Sequence, residues 1–411
     1  MPSITVFMVP DGYTANDFDA DAVMKGLRDH AFKGIDNDPT AEVSRGWVHY
    51  QDMVSFDFQE ETGVFHGHYA TFGIREDARL VSSRAFKRHF NEALKDWKEK
   101  KIKQLGVQGE LPDTGAGDKP INPNPRPGKD VKKELKEQVF LKLRAKTLPE
   151  PISADVVWNG GTGIIYLFST SKKVIGAFMS QFQATFGVMP LALDLDTIAK
   201  TKGFEKTDEK LGWDFLTWVW QNQQDPHKLE GISGKRDEIF VSMIKRVKLE
   251  KGEGDAKEGL VASAAFDLAS MDGEIDQALV NGRKVVQGTV AFDDSGDKWT
   301  MGLKADGLSV LSGFKTPKVD PDEEDPHGVL MESLGLVETG VNYLVSLVGV
   351  FLKEKEAEGT LTRNADTTIR TALAAFVESC RNLGGATITG PDGESVTIAG
   401  GDAPVAAAAG G

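Results

Sequence analysis

One cysteine, Cys380, is the entire thiol content of the 411 residues. It excludes an internal disulfide and a cysteine-based zinc site. Such usage fits a reducing compartment, and the expected role of Cys380 is a small apolar residue in a core. Long hydrophobic runs are scarce too. The longest strongly apolar stretch, Tyr343 to Leu352, is about half of what a bilayer span needs. The N-terminal MPSITVFMVPDGY has no basic segment and carries an early Pro and Asp, unlike a secretory signal. The expectation is a cytoplasmic protein with no membrane partner. No GxxxxGK[ST] loop occurs, which argues against a P-loop nucleotide site. Basic residues are in deficit, 48 Lys and Arg against 62 Asp and Glu, for a formal charge of -14. Bulk charge therefore gives no sign of nucleic-acid binding, and the question passes to where the basic residues cluster.

Catalytic patterns are equally thin. Gly160 to Gly163 lacks dinucleotide-site spacing and reads as a hairpin turn. His66 and His68 would share one face of a strand, but no third metal ligand is indicated nearby. Asp320, Asp322, Glu323, Glu324 and Asp325 lie in an acidic loop without the spacing or central glycine of a calcium loop. Asp194 and Asp196 admit two readings, a helix cap or the metal-holding carboxylates of a nuclease. The expectation is no catalytic residue, no metal and no cofactor, with the metal-dependent nuclease kept as an alternative.

What is present is a change of hydrophobic period along the chain. Residues 1–83 read as a β-rich lobe: Ser3 to Val9 is a β-branched run, Asp17 to Phe32 a helix, and Phe56, Phe58, Phe65, Tyr69, Phe72 and Ile74 alternate with polar residues as on a half-buried sheet. Residues 84–150 read as a basic helical arm. Phe86, Phe90, Leu94 and Trp97 mark one face of a helix from Arg84 to about Leu105, which holds eight basic and three acidic residues. A Pro-rich insertion, 106–128, follows and is expected to be exposed and extended. Val131, Leu135, Val139 and Leu143 then mark a second helix with seven basic residues in and just beyond it against three acidic, ended by Thr147-Leu-Pro-Glu-Pro151. Lysine clusters of this kind are either solvated helix faces or binders of backbone phosphate.

Residues 151–355 read as an α+β core. Asp155 to Asn159 and Gly163 to Phe168 form a hairpin, Ser171 to Phe186 a helix and Val188 to Leu193 a strand. The aromatic cluster Trp213 to Trp220 is expected to be a buried helix face, with base stacking as the alternative. Strands are expected at Ile239 to Val247, Leu260 to Leu268, Gln287 to Phe292 and Trp299 to Leu303, and helices at Glu274 to Val280 and Val329 to Lys355. Residues 356–411 read as a helical extension, Asp366 to Leu383, a hairpin about Pro391-Asp392-Gly393, and a disordered Gly/Ala-rich tail. The fold class is thus α+β, antiparallel sheets with amphipathic helices.

The order of short motifs resembles the family of the bacterial recombination-associated protein RdgC. Arg45-Gly-Trp-Val48, Val131 to Val139, Thr147-Leu-Pro-Glu-Pro151 with Asp155-Val-Val-Trp158, Ser171-Lys-Lys173, Asp214-Phe-Leu-Thr-Trp218 and Asn281-Gly-Arg-Lys-Val-Val286 follow the family's order over residues 1–355. The insertion at 106–128 and the region beyond 355 have no counterpart in it. Arg144-Ala-Lys146 lacks the aromatic of the family's RAF-type segment. The resemblance implies a multi-lobed protomer of a ring-shaped homodimer. It also implies a non-catalytic, largely sequence-independent binder of double-stranded DNA, or of single-stranded DNA, that limits recombinase filaments and is associated with the nucleoid. The expected phosphate contacts are Lys87, Arg88, Lys95, Lys98, Lys132, Lys133, Lys136 and Arg144 of the arm, with Lys235, Arg236, Arg283 and Lys284 as weaker clusters. A protein-interaction module without DNA affinity is the remaining alternative.

Overall fold

The computed structural model describes residues 3–9, 19–36, 38, 41–59, 63–108, 125–204, 210–223, 226–229, 238–251, 258–263, 268, 272–322, 324–361, 387–389 and 395–397. The chain divides into two compact units, Pro2–Ala192 and Leu193–Gly411. The segments 1–83 and 84–150 fall in the same unit. All strand ladders within each unit are antiparallel, and amphipathic helices pack on them, so the fold class is α+β.

The N-terminal unit contains β1 (Ile4–Met8), α1 (Ala20–Asp29), β2 (Val43–Val48), β3 (Phe65–His66), β4 (Tyr69–Ala78), α2 (Ser83–Gln108), α3 (Lys129–Arg144), β5 (Glu150–Asn159), β6 (Ile164–Leu167), α4 (Lys172–Phe186) and β7 (Leu191–Ala192). Its sheet runs β1-β6-β5-β4-β2, with β7 on β1 and β3 on β4. The longest ladder joins β4 to β5 in unbroken register from Tyr69↔Asn159 to Ala78↔Glu150. The apolar stripe of α4 supplies Phe178 and Phe182 to a core with Phe7, Trp47, Phe72 and Trp158. The rings meet tilted or edge-on, Trp47 to Phe72 at 5.1 Å and Trp158 to Phe182 at 5.3 Å, the arrangement favoured by the ring quadrupole. Gly46 has a backbone reason. The chain at Ala31 bridges the strand at Trp47, and a Cβ on Gly46 would lie 2.3 Å from Phe32 Cα.

Several expectations are corrected in this unit. Phe56 and Phe58 lie on the loop after β2, where Asp52 accepts hydrogen bonds from the Val54 and Ser55 amides. The loop turns before β3, so the aromatic alternation continues only from Phe65. The strand expected at Val188 to Leu193 shrinks to two residues because Gly187 ends α4 with φ 74 and Pro190 follows. His66 and His68 do not share a strand face, since Gly67 turns the chain between them with φ 59. The loop after β2 is anchored where the Gln51 amide donates to Asp155 Oδ1 at 2.9 Å. Burial, reinforced by the Asp155 charge, pushes the Tyr50 phenol up to about 12, and burial raises Asp155 itself above the usual carboxylate range.

The C-terminal unit contains α5 (Leu195–Thr201), α6 (Leu211–Gln221), β8 (Pro226–Lys228), β9 (Glu238–Lys251), β10 (Glu258–Ser263), α7 (Asp272–Val280), β11 (Lys284–Asp294), β12 (Asp297–Lys304), β13 (Val310–Lys315), α8 (Pro326–Ala357), β14 (Thr387–Thr389) and β15 (Ser395–Thr397). The sheet order is β10-β9-β11-β12-β13, with β8 on β9. A separate two-stranded ladder of β14 and β15 matches the hairpin expected there. Helix α8 is capped by Asp325, whose side chain accepts from the Gly328 amide at 2.8 Å. It is long and apolar enough to cross a membrane, which the ten-residue run counted in the sequence understates. Yet 56% of its most apolar window is buried inside the protein, the packing of a core helix. Gly340 lets it approach the sheet, since a Cβ there would fall 2.7 Å from Trp299 and 2.9 Å from Phe314. Tyr343, edge-on to Trp299 at 5.0 Å, donates to Asp294 Oδ2 at 3.0 Å, and burial raises its phenol above the ordinary range. The helix expected at Asp366 to Leu383, Cys380 within it and the tail all lie outside the described residues, as do most of the Pro-rich insertion and residues 264–267 of the strand expected at Leu260 to Leu268.

Candidate nucleic-acid interface

Helix α2 starts where Ser82 Oγ accepts from the Ala85 amide at 3.2 Å and runs to Gln108, three residues into the expected insertion. Helix α3 places Asp130 in its first turn and Lys142 and Arg144 in its last, the signs the helix dipole favours. Each helix finds its main packing partner in the other. The Phe86 ring meets Phe140 edge-on at 6.2 Å, and the Lys136 ammonium sits 5.8 Å above the Phe90 ring. Moving up α2 thus means moving down α3, and the pair is an antiparallel hairpin. Its seam is only half-buried, as expected of two helices covering one another.

The seam has two flanks. On one, His89, Glu92, Ala93 and Asp96 of α2 face Val139, Lys142 and Leu143 of α3, and Lys146 just beyond it, across a cleft of about 370 Å³. The His89 Nδ1 lies 2.8 Å from Glu92 Oε2. At 100° per residue, the other flank carries Lys87, Asn91, Leu94, Lys98 and Lys101 on α2 and Lys129, Lys133, Lys136, Phe140 and Arg144 on α3. The α2 row carries no acid, and on α3 Asp130 and Glu137 border the outer edge of the row.

The expected contact residues do not fall together. Lys87, Lys98, Lys133 and Lys136 share the second flank. Arg88 and Lys95 lie on the outer side of α2, each 3.9 Å from an acid one turn on, Glu92 and Glu99. Lys132 lies toward the cleft side of α3 by the same helical phase. Arg144, its side chain only 12% exposed, stacks over Phe140 at 5.5 Å and pairs with Glu42 at 3.2 Å, so it anchors the base of the hairpin. Lys101 and Lys129 complete the rows and were not in the expected set. The signal that finds them is the phase of each lysine around its helix, where a count of charge per segment misses them.

The weaker clusters are engaged within their own unit or undescribed. Arg283 pairs with Glu258 at 3.2 Å, and Lys284 with Asp214. Lys235 and Arg236 lie outside the described residues. The base-stacking reading of Trp213 to Trp220 is corrected. Trp218 and Trp220 are 7% and 3% exposed, and the indole N–H groups donate to carboxylates, Trp213 to Asp306 at 3.2 Å, Trp218 to Glu354 at 2.6 Å and Trp220 to Asp276 at 3.0 Å. Asp194 behaves as a helix cap, accepting from the Thr197 amide at 3.0 Å. Among the described residues, no group of three or more His, Cys, Asp or Glu is placed to hold a metal ion.

No protein-family model matches the chain, and no curated protein matches it.

Proposed function

We propose that this chain is a non-catalytic, largely sequence-independent DNA-binding protein. It acts as a homodimer that occupies or encircles duplex DNA, near the nucleoid, and so limits recombinase filaments. The observation that carries the reading is the exposed lysine-rich hairpin of α2 and α3 in a chain of formal charge -14. Ammonium groups held on a rigid helical surface release counterions when they meet phosphate, and this needs no base contact. The order of motifs shared with the RdgC family supports the dimeric, ring-forming part of the proposal. The acidic remainder of the chain is compatible with it, because repulsion from acidic surface would steer DNA toward the basic hairpin.

The test is binding of purified protein to linear and closed circular duplex across a salt series, with nuclease activity assayed in parallel in the presence of magnesium. Affinity that falls steeply with salt, intact DNA, and complexes that persist longer on circles than on linear molecules are the expected results. Absence of binding at low salt would overturn the proposal in favour of a protein-interaction module.

A further inference from the structure

We infer that the hairpin is one-sided: nucleic acid lies along the flank opposite the cleft, across the phosphate backbone and outside the grooves. The inference rests on the DNA binding proposed above and narrows it to one surface.

Charge separates the flanks. On the cleft side Lys142 and Lys146 stand opposite Glu92 and Asp96, so a polyanion gains little there. On the far side Lys87, Lys98 and Lys101 run beside Lys129, Lys133 and Lys136, with Asp130 and Glu137 only along the outer edge of the α3 row. Among the described residues none of these six forms an ion pair, and only the Lys136 ammonium has a ring contact, 5.8 Å above Phe90. Arg88 and Lys95 each have an acid one turn away and turn outward from this surface.

Dimensions choose the mode of docking. From Lys87 to Lys101 the α2 row is about 21 Å long at 1.5 Å per residue, the reach of about six phosphates along one strand. Two helices side by side are roughly 20 Å wide, and the major groove is roughly 12 Å. The hairpin face is too broad to enter a groove, so base edges stay out of its reach. Sequence independence follows from this width.

Two charge-matched triple variants separate the flanks. Lys98→Gln, Lys133→Gln and Lys136→Gln together remove half of the six far-side lysines, and Lys95→Gln, Lys132→Gln and Lys142→Gln together remove the same charge elsewhere. The far-row triple is expected to lower the salt slope of duplex binding by about 2–3 and to weaken affinity near 0.1 M salt on the order of a hundredfold, since each lost contact removes about 0.9 from the slope. The second triple is expected to change affinity less than about threefold, the residue of non-specific charge effects. Equal losses from the two triples, or the larger loss from the second, overturn the one-sided face while leaving DNA binding itself in place. A preference of more than about tenfold among duplexes of different sequence overturns docking across the backbone, because only base contacts or duplex deformability discriminate. Failure of the unmodified protein to bind duplex, with polyglutamate bound instead, overturns this inference together with the function it rests on.

Discussion

Helix α6 and the α2–α3 hairpin are both aromatic-rich helical regions, and they use their rings in opposite ways. In α6 the rings turn inward, with Phe215 fully buried beside Trp218 and Phe351, and the three tryptophans direct their N–H groups at carboxylates. In the hairpin the rings of Phe86, Phe90 and Phe140 form only a half-covered seam, and the outer surface belongs to lysine. Aromatic density alone does not separate a core helix from a binding helix. What separates them is what occupies the remaining faces: apolar residues around α6, ammonium groups around the hairpin.

The sharpest way to break this contrast is to remove one ring from each region. Phe215→Ala should cost about 3–5 kcal/mol, the range for emptying a buried aromatic site. Phe86→Ala should cost about 1–2 kcal/mol, because its ring is only partly removed from water. Guanidinium unfolding of both variants decides it, and equal losses would erase the distinction. A smaller effect sharpens the α6 side. Trp218→Phe keeps the packing but deletes the donor to Glu354, an exposed residue that water can serve instead, so the expected loss is about 1 kcal/mol. A loss near that of Phe215→Ala would mean that the indole bond, and not ring packing, holds the helix.

The last test is electrostatic and lies on the loop after β2. Tyr50 is raised from 10.0 to about 12 by burial and by Asp155. The folded state therefore holds its proton more tightly than the unfolded chain. The stability this contributes is complete below pH 10 and is lost as the pH climbs from 10 to about 12. Tyr50→Phe should flatten the stability profile in that window relative to the unmodified protein. Identical profiles would show that Tyr50 titrates alike in both states.

Most of the architecture was legible because period and punctuation agreed. The four-residue spacing of Val131, Leu135, Val139 and Leu143 gives α3 almost to the residue, and the glycines at 160–163 mark the turn between β5 and β6. The failures share a cause. Phe56 and Phe58 alternate with polar residues yet sit on a loop, because Asp52 offers the backbone a local turn in place of a ladder. Composition located the candidate surface as a segment, but its division into two flanks was hidden. A count of charges carries no angle, and only the partner helix and the cleft fix which direction around α2 is which. Arg144 illustrates the limit: it reads as one more cation, and its pairing with Glu42, 102 positions away in the chain, is a tertiary fact.

The hairpin also occupies a particular place in the connectivity. It leaves the sheet after Ala78 and returns at Glu150, and those two residues are paired neighbours on β4 and β5. Ordinary antiparallel neighbours are joined by about 2–5 residues, whereas this connection is about 70 long. Each doubling of a flexible connection adds about 0.6 kcal/mol to the entropy of closing it, so about four doublings cost near 2.5 kcal/mol. Helices that find each other locally shorten the effective connection before the strands meet. The order of events in folding is thereby biased: the arm forms early, and the ten-residue ladder at the centre of the N-terminal sheet closes behind it.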